Sequence, residues 1–243
     1  WVYEGGHDAM IERLKNAALR EKIKSEMVKP ADEWENMYEQ NSPEKIMLAG
    51  FRKPHLQQYT GKRLSEVATM RGTSPKDTVI DLIIEDDSRI FTIYFTMTDD
   101  NLRKQIQQPW MSFCSDAGSI APQPPFTKYH PHPRAYGSFA RVLGKFVREE
   151  GALTVQQAVR QLAALPAEVM KIDKRGKLLE GYFADIAVFD PAKVQDHATY
   201  DDPHHFSTGM VHVFVNGGQV LRDGDHTGLS SGRVVYGPGF KNG

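Results

Sequence analysis

Residues 46–51 read Ile46-Met47-Leu48-Ala49-Gly50-Phe51, six apolar residues in succession just after Ser42-Pro43. A short apolar run with no polar alternation predicts a strand buried on both faces, as in a parallel sheet. On the N-terminal side, residues 8–27 carry Ala9, Met10, Leu14, Ala17, Ala18 and Ile23 among Glu, Lys and Arg at helical spacing, and residues 28–44 are polar and loop-like. On the C-terminal side, a short helix is expected through Val67, Ala68 and Met70. Ser74-Pro75-Lys76-Asp77 then marks a helix start: a serine N-cap, a proline at the first helical position and an acidic first turn. Residues 90–97, rich in Ile, Phe, Tyr and Thr, predict a strand, and Thr98-Asp99-Asp100 caps another short helix.

Further along, Met111-Ser112-Phe113-Cys114-Ser115 reads as a short apolar strand ending at Asp116. Residues 117–134 hold five prolines and no periodicity. Helices resume over 138–150 and 154–165, the second opened by the capping box Thr154-Val155-Gln156-Gln157. Helix and strand thus alternate through the first two-thirds, the signature of an α/β fold. The pattern changes near Pro166. Residues 184–190 and 211–215 predict strands, and Asn216-Gly217-Gly218 is a tight hairpin signal before Gln219-Val220-Leu221. Two domains are therefore expected, residues 1–165 and a small all-β module over residues 166–243.

Composition narrows the function. The 243 residues are 40% hydrophobic and 25% charged, with a formal net charge of −1 and a pI near 6.8. That is the balance of a globular protein, not of a disordered or collagenous chain, and it argues against nucleic acid as a partner. No apolar run reaches the ~20 residues that span a bilayer, so no membrane is expected as a partner either. The single cysteine, Cys114, excludes an intramolecular disulfide framework and a cysteine-cage zinc site. The opening Trp1-Val2-Tyr3-Glu4-Gly5-Gly6 has neither a starting Met nor the features of a signal peptide and reads like the interior of a longer protein; a cytoplasmic location is the accompanying expectation.

Few residues offer chemistry. Asp116 follows a short apolar strand and precedes a long loop, the position in which α/β barrels carry catalytic groups. A carboxylate there can ligate a metal and exchange a proton with water; it can equally be a loop or helix-cap aspartate. His130-Pro131-His132-Pro133 places two histidines on one side of a proline-stiffened segment, which suits either a metal or a plain surface loop. Arg134 beside that loop has the shape to bind a carboxylate in bidentate fashion. His204, His205 and His226 read as structural, because adjacent side chains of an extended segment point to opposite faces. Cys114, within an apolar strand, reads as a buried inert thiol. There is no Walker loop, dinucleotide fingerprint or metalloprotease motif. One carboxylate and one arginine do not make a complete site, and no convincing metal-ligand set is present.

An ordered set of motifs adds more. Ser112-Phe113-Cys114-Ser115-Asp116, then His132-Pro133-Arg134-Ala135-Tyr136-Gly137-Ser138-Phe139-Ala140-Arg141-Val142-Leu143-Gly144, then Gly181-Tyr182-Phe183-Ala184-Asp185-Ile186-Ala187-Val188-Phe189-Asp190-Pro191 and Val215-Asn216-Gly217-Gly218-Gln219-Val220 resemble the N-acyl-D-amino-acid deacylases (D-aminoacylases) of the amidohydrolase superfamily. Upstream, Tyr59-Thr60-Gly61-Lys62 before Leu64-Ser65-Glu66-Val67-Ala68 also matches, so the resemblance covers essentially the whole chain. It implies an α/β fold in which residues 1–165 are the C-terminal part of a TIM-type (β/α)8 hydrolase barrel, its last two strands near residues 46–51 and 111–115. Residues 166–243 would be the C-terminal portion of a small β-sandwich.

The resemblance also implies roles. Asp116 would contact the metal, take a proton from metal-bound water and return it to the leaving amine. Arg134 would bind the substrate α-carboxylate, helped by Tyr59 and Ser65. The cofactor would be Zn2+ or another divalent metal whose remaining ligands are expected upstream of residue 1. The partners would be a small-molecule N-acyl-D-amino acid, the N-terminal half of the barrel and, in a homo-oligomer, further copies. Two departures stand out. Asp116-Ala117-Gly118 replaces the family's Asp-Gly, and residues 119–129, with His130, lengthen the loop to Arg134, implying a reshaped pocket. The alternatives are another amide or cyclic-amide hydrolase of the superfamily, of dihydroorotase or hydantoinase type, and a non-catalytic fragment with no activity alone.

Overall fold

The computed structural model describes residues 1–240. It divides into two compact units, one of Trp1–Met97 with Gln123–His132, the other of Thr98–Pro122 with the chain from Pro133 onward.

The first unit opens with α1 (Gly6–Lys15) and α2 (Ala17–Glu26). The continuous helix expected over residues 8–27 is broken at Asn16, whose backbone is extended and whose side chain accepts from the Leu19 N–H at 3.1 Å. The amide caps a new helix more favourably than it continues the old one. Ile11, Leu14 and Ile23 still face inward, meeting Ile80 in one core cluster. Strand β1 (Ile46–Gly50) is buried at every residue. Helices α3 (Leu64–Arg71) and α4 (Pro75–Asp86) follow, the latter capped by Ser74 with Pro75 in its first turn, as its sequence requires.

Strand β2 (Phe91–Tyr94) is the partner of β1, and the pairing is antiparallel, Met47 opposite Ile93. The parallel neighbour expected for β1 is absent among the described residues. Complete burial is what the apolar run encodes, and burial says nothing about strand direction. Immediately after β1, the fully buried Asp86 carboxylate accepts the N–H groups of Arg52 and Lys53, each at 2.8 Å. It thereby ties the end of α4 to the turn that leaves the strand. The chain then returns to β1: the Gly61 N–H donates to the Leu48 carbonyl at 2.8 Å and the Leu48 N–H to the Lys62 carbonyl at 2.9 Å.

The second unit begins with α5 (Asp99–Ile106), capped by Thr98. Residues 111–115 were expected to form a strand; they are extended but pair with no strand among the described residues. Met111 and Phe113 pack on the core while Ser112 and Cys114 are exposed, so the alternation of a strand survives without its ladder. Helix α6 (Arg134–Arg141) continues through Val142–Glu149 as a wider π-type helix, and Ala140, Val142, Leu143 and Phe146 fill the core. It starts four residues earlier than its apolar pattern suggests. Helix α7 (Val155–Val159) carries the expected Thr154–Gln157 capping box and runs through Arg160–Ala164 into α8 (Leu165–Val169). The buried Gln161 side chain donates to the Ile106 and Gln108 carbonyls at 3.0 and 2.8 Å, satisfying the end of α5.

Strands β3 (Ile186–Phe189), β4 (Met210–Val215), β5 (Gly218–Arg222) and β6 (Asp225–His226) form one antiparallel sheet in sequence order. The β4–β5 turn is the Asn216-Gly217 hairpin, both residues at positive φ as such a turn demands. Asp185 pins its base. Burial alone would raise that carboxyl's pKa, but the Asn216 N–H at 2.8 Å and the Arg175 guanidinium outweigh it and hold the pKa low. Among the described residues no helix is long and apolar enough to cross a membrane.

One ion cluster sets an acid limit on the first unit. The Asp77 carboxyl is held far below the usual carboxylate range by the Ser74 hydroxyl at 2.5 Å, the Lys24 ammonium at 2.9 Å and the Arg20 guanidinium at 3.0 Å, which join α2 to α4. Because the folded-state pKa is depressed, this stabilisation is present above the ordinary aspartate pKa and is lost as pH falls through the folded value. Asp77→Asn is expected to lower the urea-unfolding free energy by about 1–2 kcal/mol at neutral pH, with the gap to the unsubstituted chain narrowing below about pH 4. A gap of equal size at pH 7 and at roughly pH 2 would contradict the assignment.

Candidate functional site

Asp116 sits where the extended segment 111–115 gives way to the proline-rich loop. Its backbone is left-handed (φ 46°), a conformation aspartate tolerates better than most residues, and its N–H donates to Cys114 Sγ at 3.4 Å. Cys114 is exposed, not the buried thiol expected from its apolar neighbours, because the segment has no strand beside it to cover that face. The thiol instead braces the turn that presents Asp116.

Arg134 is the first residue of α6, and its Nη2 lies 2.7 Å from Asp116 Oδ2. The two residues singled out from sequence, at opposite ends of a long irregular loop, are therefore in direct contact. The pair is open to solvent: the Asp116 side chain is 80% exposed and that of Arg134 45%. A carboxylate at 2.7 Å is also a template for what this guanidinium can hold, since a substrate carboxylate would make the same charge-assisted bond.

Tyr59 and Ser65 belong to the first unit. Tyr59 ends the Pro54–Tyr59 turn, with its ring edge-on to Phe51 at 6.3 Å and under the Arg71 guanidinium at 5.8 Å. Ser65 lies in the first turn of α3, whose start is fixed by the Arg63 N–H donating to Glu66 Oε2 at 2.7 Å. The hydrogen bonds of Gly61 and Lys62 to β1 hold the chain between them. His130 is committed to the fold: its N–H donates to the Ala49 carbonyl at 2.7 Å, and a Cβ added at Gly61 would lie 3.2 Å from its ring. His226 Nδ1 accepts from the Gly228 N–H at 2.9 Å, the structural role expected of it.

No group of three His, Cys, Asp or Glu among the described residues is placed to hold a metal ion. A zinc site takes three or four protein ligands. Asp116 supplies one carboxylate, so these residues do not by themselves fit a complete zinc site.

The amidohydrolase family profile matches residues 111–221, the stretch from the Asp116 segment to β5. A D-aminoacylase of Alcaligenes xylosoxydans xylosoxydans is 34% identical over 197 residues, 79% of this chain and 38% of its own length. An N-acyl-D-glutamate deacylase of the same organism is 44% identical over 129 residues, 53% of this chain and 25% of its length. In three dimensions, a solved D-aminoacylase studied for its binuclear metal centre superposes with a TM-score of 0.66 at 33% identity, covering 77% of this chain and 37% of that one. An N-acyl-D-glutamate deacylase of Bordetella bronchiseptica, solved with zinc and a phosphonate inhibitor, gives 0.63 at 34% identity, covering 75% and 36%. The chain belongs to the D-aminoacylase family of amidohydrolases. It spans under two-fifths of the length of these relatives. Dihydroorotases also match, that of Lactobacillus acidophilus at 31% identity, but over 104 residues, 43% of this chain.

Sequence reading passed over Tyr136, which lies two residues beyond Arg134 and hydrogen-bonds His204. Its position in the first turn of α6, beside Arg134, was the available signal.

An exposed ion pair contributes little to stability. Asp116→Asn and Arg134→Lys are each expected to change the unfolding free energy by less than about 1 kcal/mol. A loss above roughly 2 kcal/mol in thermal or urea denaturation would mean that the pair holds the fold together and is not kept for chemistry.

Proposed function

We propose that this chain is the C-terminal part of a metal-dependent amidohydrolase that cleaves N-acyl-D-amino acids to a carboxylate and a free D-amino acid. The observation that carries the reading is the 2.7 Å contact between Asp116 and Arg134. It joins a carboxylate able to move a proton and a guanidinium able to grip an α-carboxylate, at the start of the stretch matched by the amidohydrolase profile. Residues 1–165 would complete the end of a (β/α)8 barrel and residues 166–243 part of a β-sandwich, with the remaining barrel as the chain's first partner. The deacylase reading is favoured over a dihydroorotase-like one by the extent of the match, 79% of the chain against 43%.

In this reading the ion is zinc, and its remaining ligands come from outside residues 1–243. Polarising the amide carbonyl and acidifying water belong to that ion. What these residues contribute is separate. Arg134, with Tyr59 and Ser65, fixes the substrate carboxylate and so one corner of the chiral centre. Asp116, released from Arg134 when the substrate takes its place, accepts a proton and returns it to the departing amine nitrogen. A carboxylate can do both because it is an acceptor when ionised and a donor when protonated.

The test is turnover of N-acetyl-D-amino acids by the complete zinc-loaded polypeptide that carries this sequence. Turnover of D but not L substrates is expected, with Asp116→Asn lowering kcat by about 10²- to 10⁴-fold. Residues 1–243 alone, supplied with zinc, are expected to be inactive. Equal turnover of both enantiomers, full activity of Asp116→Asn, or robust activity of residues 1–243 alone would overturn the assignment.

A further inference from the structure

The proposed work of Arg134 depends on where the first turn of α6 points. Residues 117–133 contain no regular element beyond the single turn Phe126–Lys128. Besides the ion pair of Arg134 with Asp116, contacts reach this turn from residues 196–206, between β3 and β4. Tyr136, in the same helical turn as Arg134, bonds through its hydroxyl to His204 Nδ1 at 3.2 Å. Its ring stands edge-on to His204 at 6.0 Å and to Phe206 at 5.9 Å. One residue further on, Gly137 leaves just enough room for Asp196, because a Cβ there would lie 2.9 Å from the Asp196 Cβ. One turn later, Arg141 reaches Asp196 Oδ2 at 2.8 Å.

These contacts differ in reach. Gly137 and Arg141 seat the body of the helix. Tyr136 and His204 seat the turn that begins at Arg134, and His204 is itself anchored by its neighbour Pro203, which is fully buried. Burial raises the Tyr136 pKa, which keeps the hydroxyl protonated and available to donate.

Resting on the deacylase reading above, we infer that Tyr136 and His204 are positioning residues for that reaction, aiming the Arg134 guanidinium at the substrate's α-carboxylate. They touch no reacting atom. Their effect is confined to the carboxylate end of the substrate, because a bidentate guanidinium loses its grip when its approach is turned or shifted. A merely structural clasp would instead affect all substrates alike.

The test uses the complete zinc-loaded polypeptide, an N-acetyl-D-amino acid and its neutral primary amide. Tyr136→Phe and His204→Phe are each expected to raise KM for the acid about tenfold, the loss of one well-placed hydrogen bond. Both should leave kcat, and KM for the amide, within about twofold. His204→Asn, whose side-chain oxygen can accept where Nδ1 does, should restore most of the acid KM. The two Phe variants are read separately, so that if one fails to fold the other decides. Equal changes for acid and amide, a fall in kcat alone, or no rescue by Asn would overturn the inference and leave the deacylase reading standing. A wild-type polypeptide inactive on these substrates would remove the deacylase reading, and this inference with it.

Discussion

The contact between the Arg134 guanidinium and the Asp116 carboxylate is the constraint on which the functional half of this structure depends. Each group alone is ordinary: one aspartate at a turn, one arginine at a helix start. Together, at 2.7 Å and open to solvent, they form the pair on which the proposed deacylase reading rests. The surrounding fold serves that meeting from two directions. Met111 and Phe113 anchor the segment that presents Asp116, and the apolar face of α6 anchors the helix that presents Arg134, both on the core built around Ile106, Phe146 and Val194. Exposure of the pair is consistent with such a use, because a carboxylate sealed from solvent could not be exchanged.

The first unit applies the same economy to a different part. Asp86 binds the backbone of the turn after β1 and the Ser88 hydroxyl, and the chain from Tyr59 to Ser65 is stitched to Leu48 by backbone hydrogen bonds. Main-chain hydrogen bonds to β1 thus add to the side-chain packing that holds Tyr59 and the start of α3. The proline-rich loop packs beside this stretch, with the His130 ring next to Gly61.

Much of this was legible in the sequence where the signal is local. Ser74-Pro75, Thr98 and the Thr154–Gln157 box cap helices at the expected places, and Asn216-Gly217 turns the expected hairpin. The caps depend on a side chain bonding backbone a few residues away and the hairpin on two adjacent residues that tolerate positive φ, so neighbours in sequence suffice to specify them. The misreadings are non-local. The apolar run at β1 announced burial but not the antiparallel β2 that lies beside it. The 111–115 segment had the composition of a strand without a partner to pair with, which also left Cys114 exposed. Asn16 split one expected helix into two because an amide inside a helical pattern can also act as a cap. For the site, composition and spacing offered Asp116 and Arg134 only as candidates; the roles proposed for them come from the family resemblance, and their contact from the fold. Tyr136 was hidden by its ordinariness as an aromatic on a helix.

The most direct measurement of the central claim is a crystal structure of the complete zinc-loaded polypeptide, carrying Asp116→Asn to stop turnover, with an N-acyl-D-amino acid bound. The account predicts the Arg134 guanidinium on the ligand's α-carboxylate and the residue-116 side chain within hydrogen-bond reach of the scissile amide nitrogen. A ligand held with its carboxylate elsewhere, and Arg134 still turned toward residue 116, would contradict it.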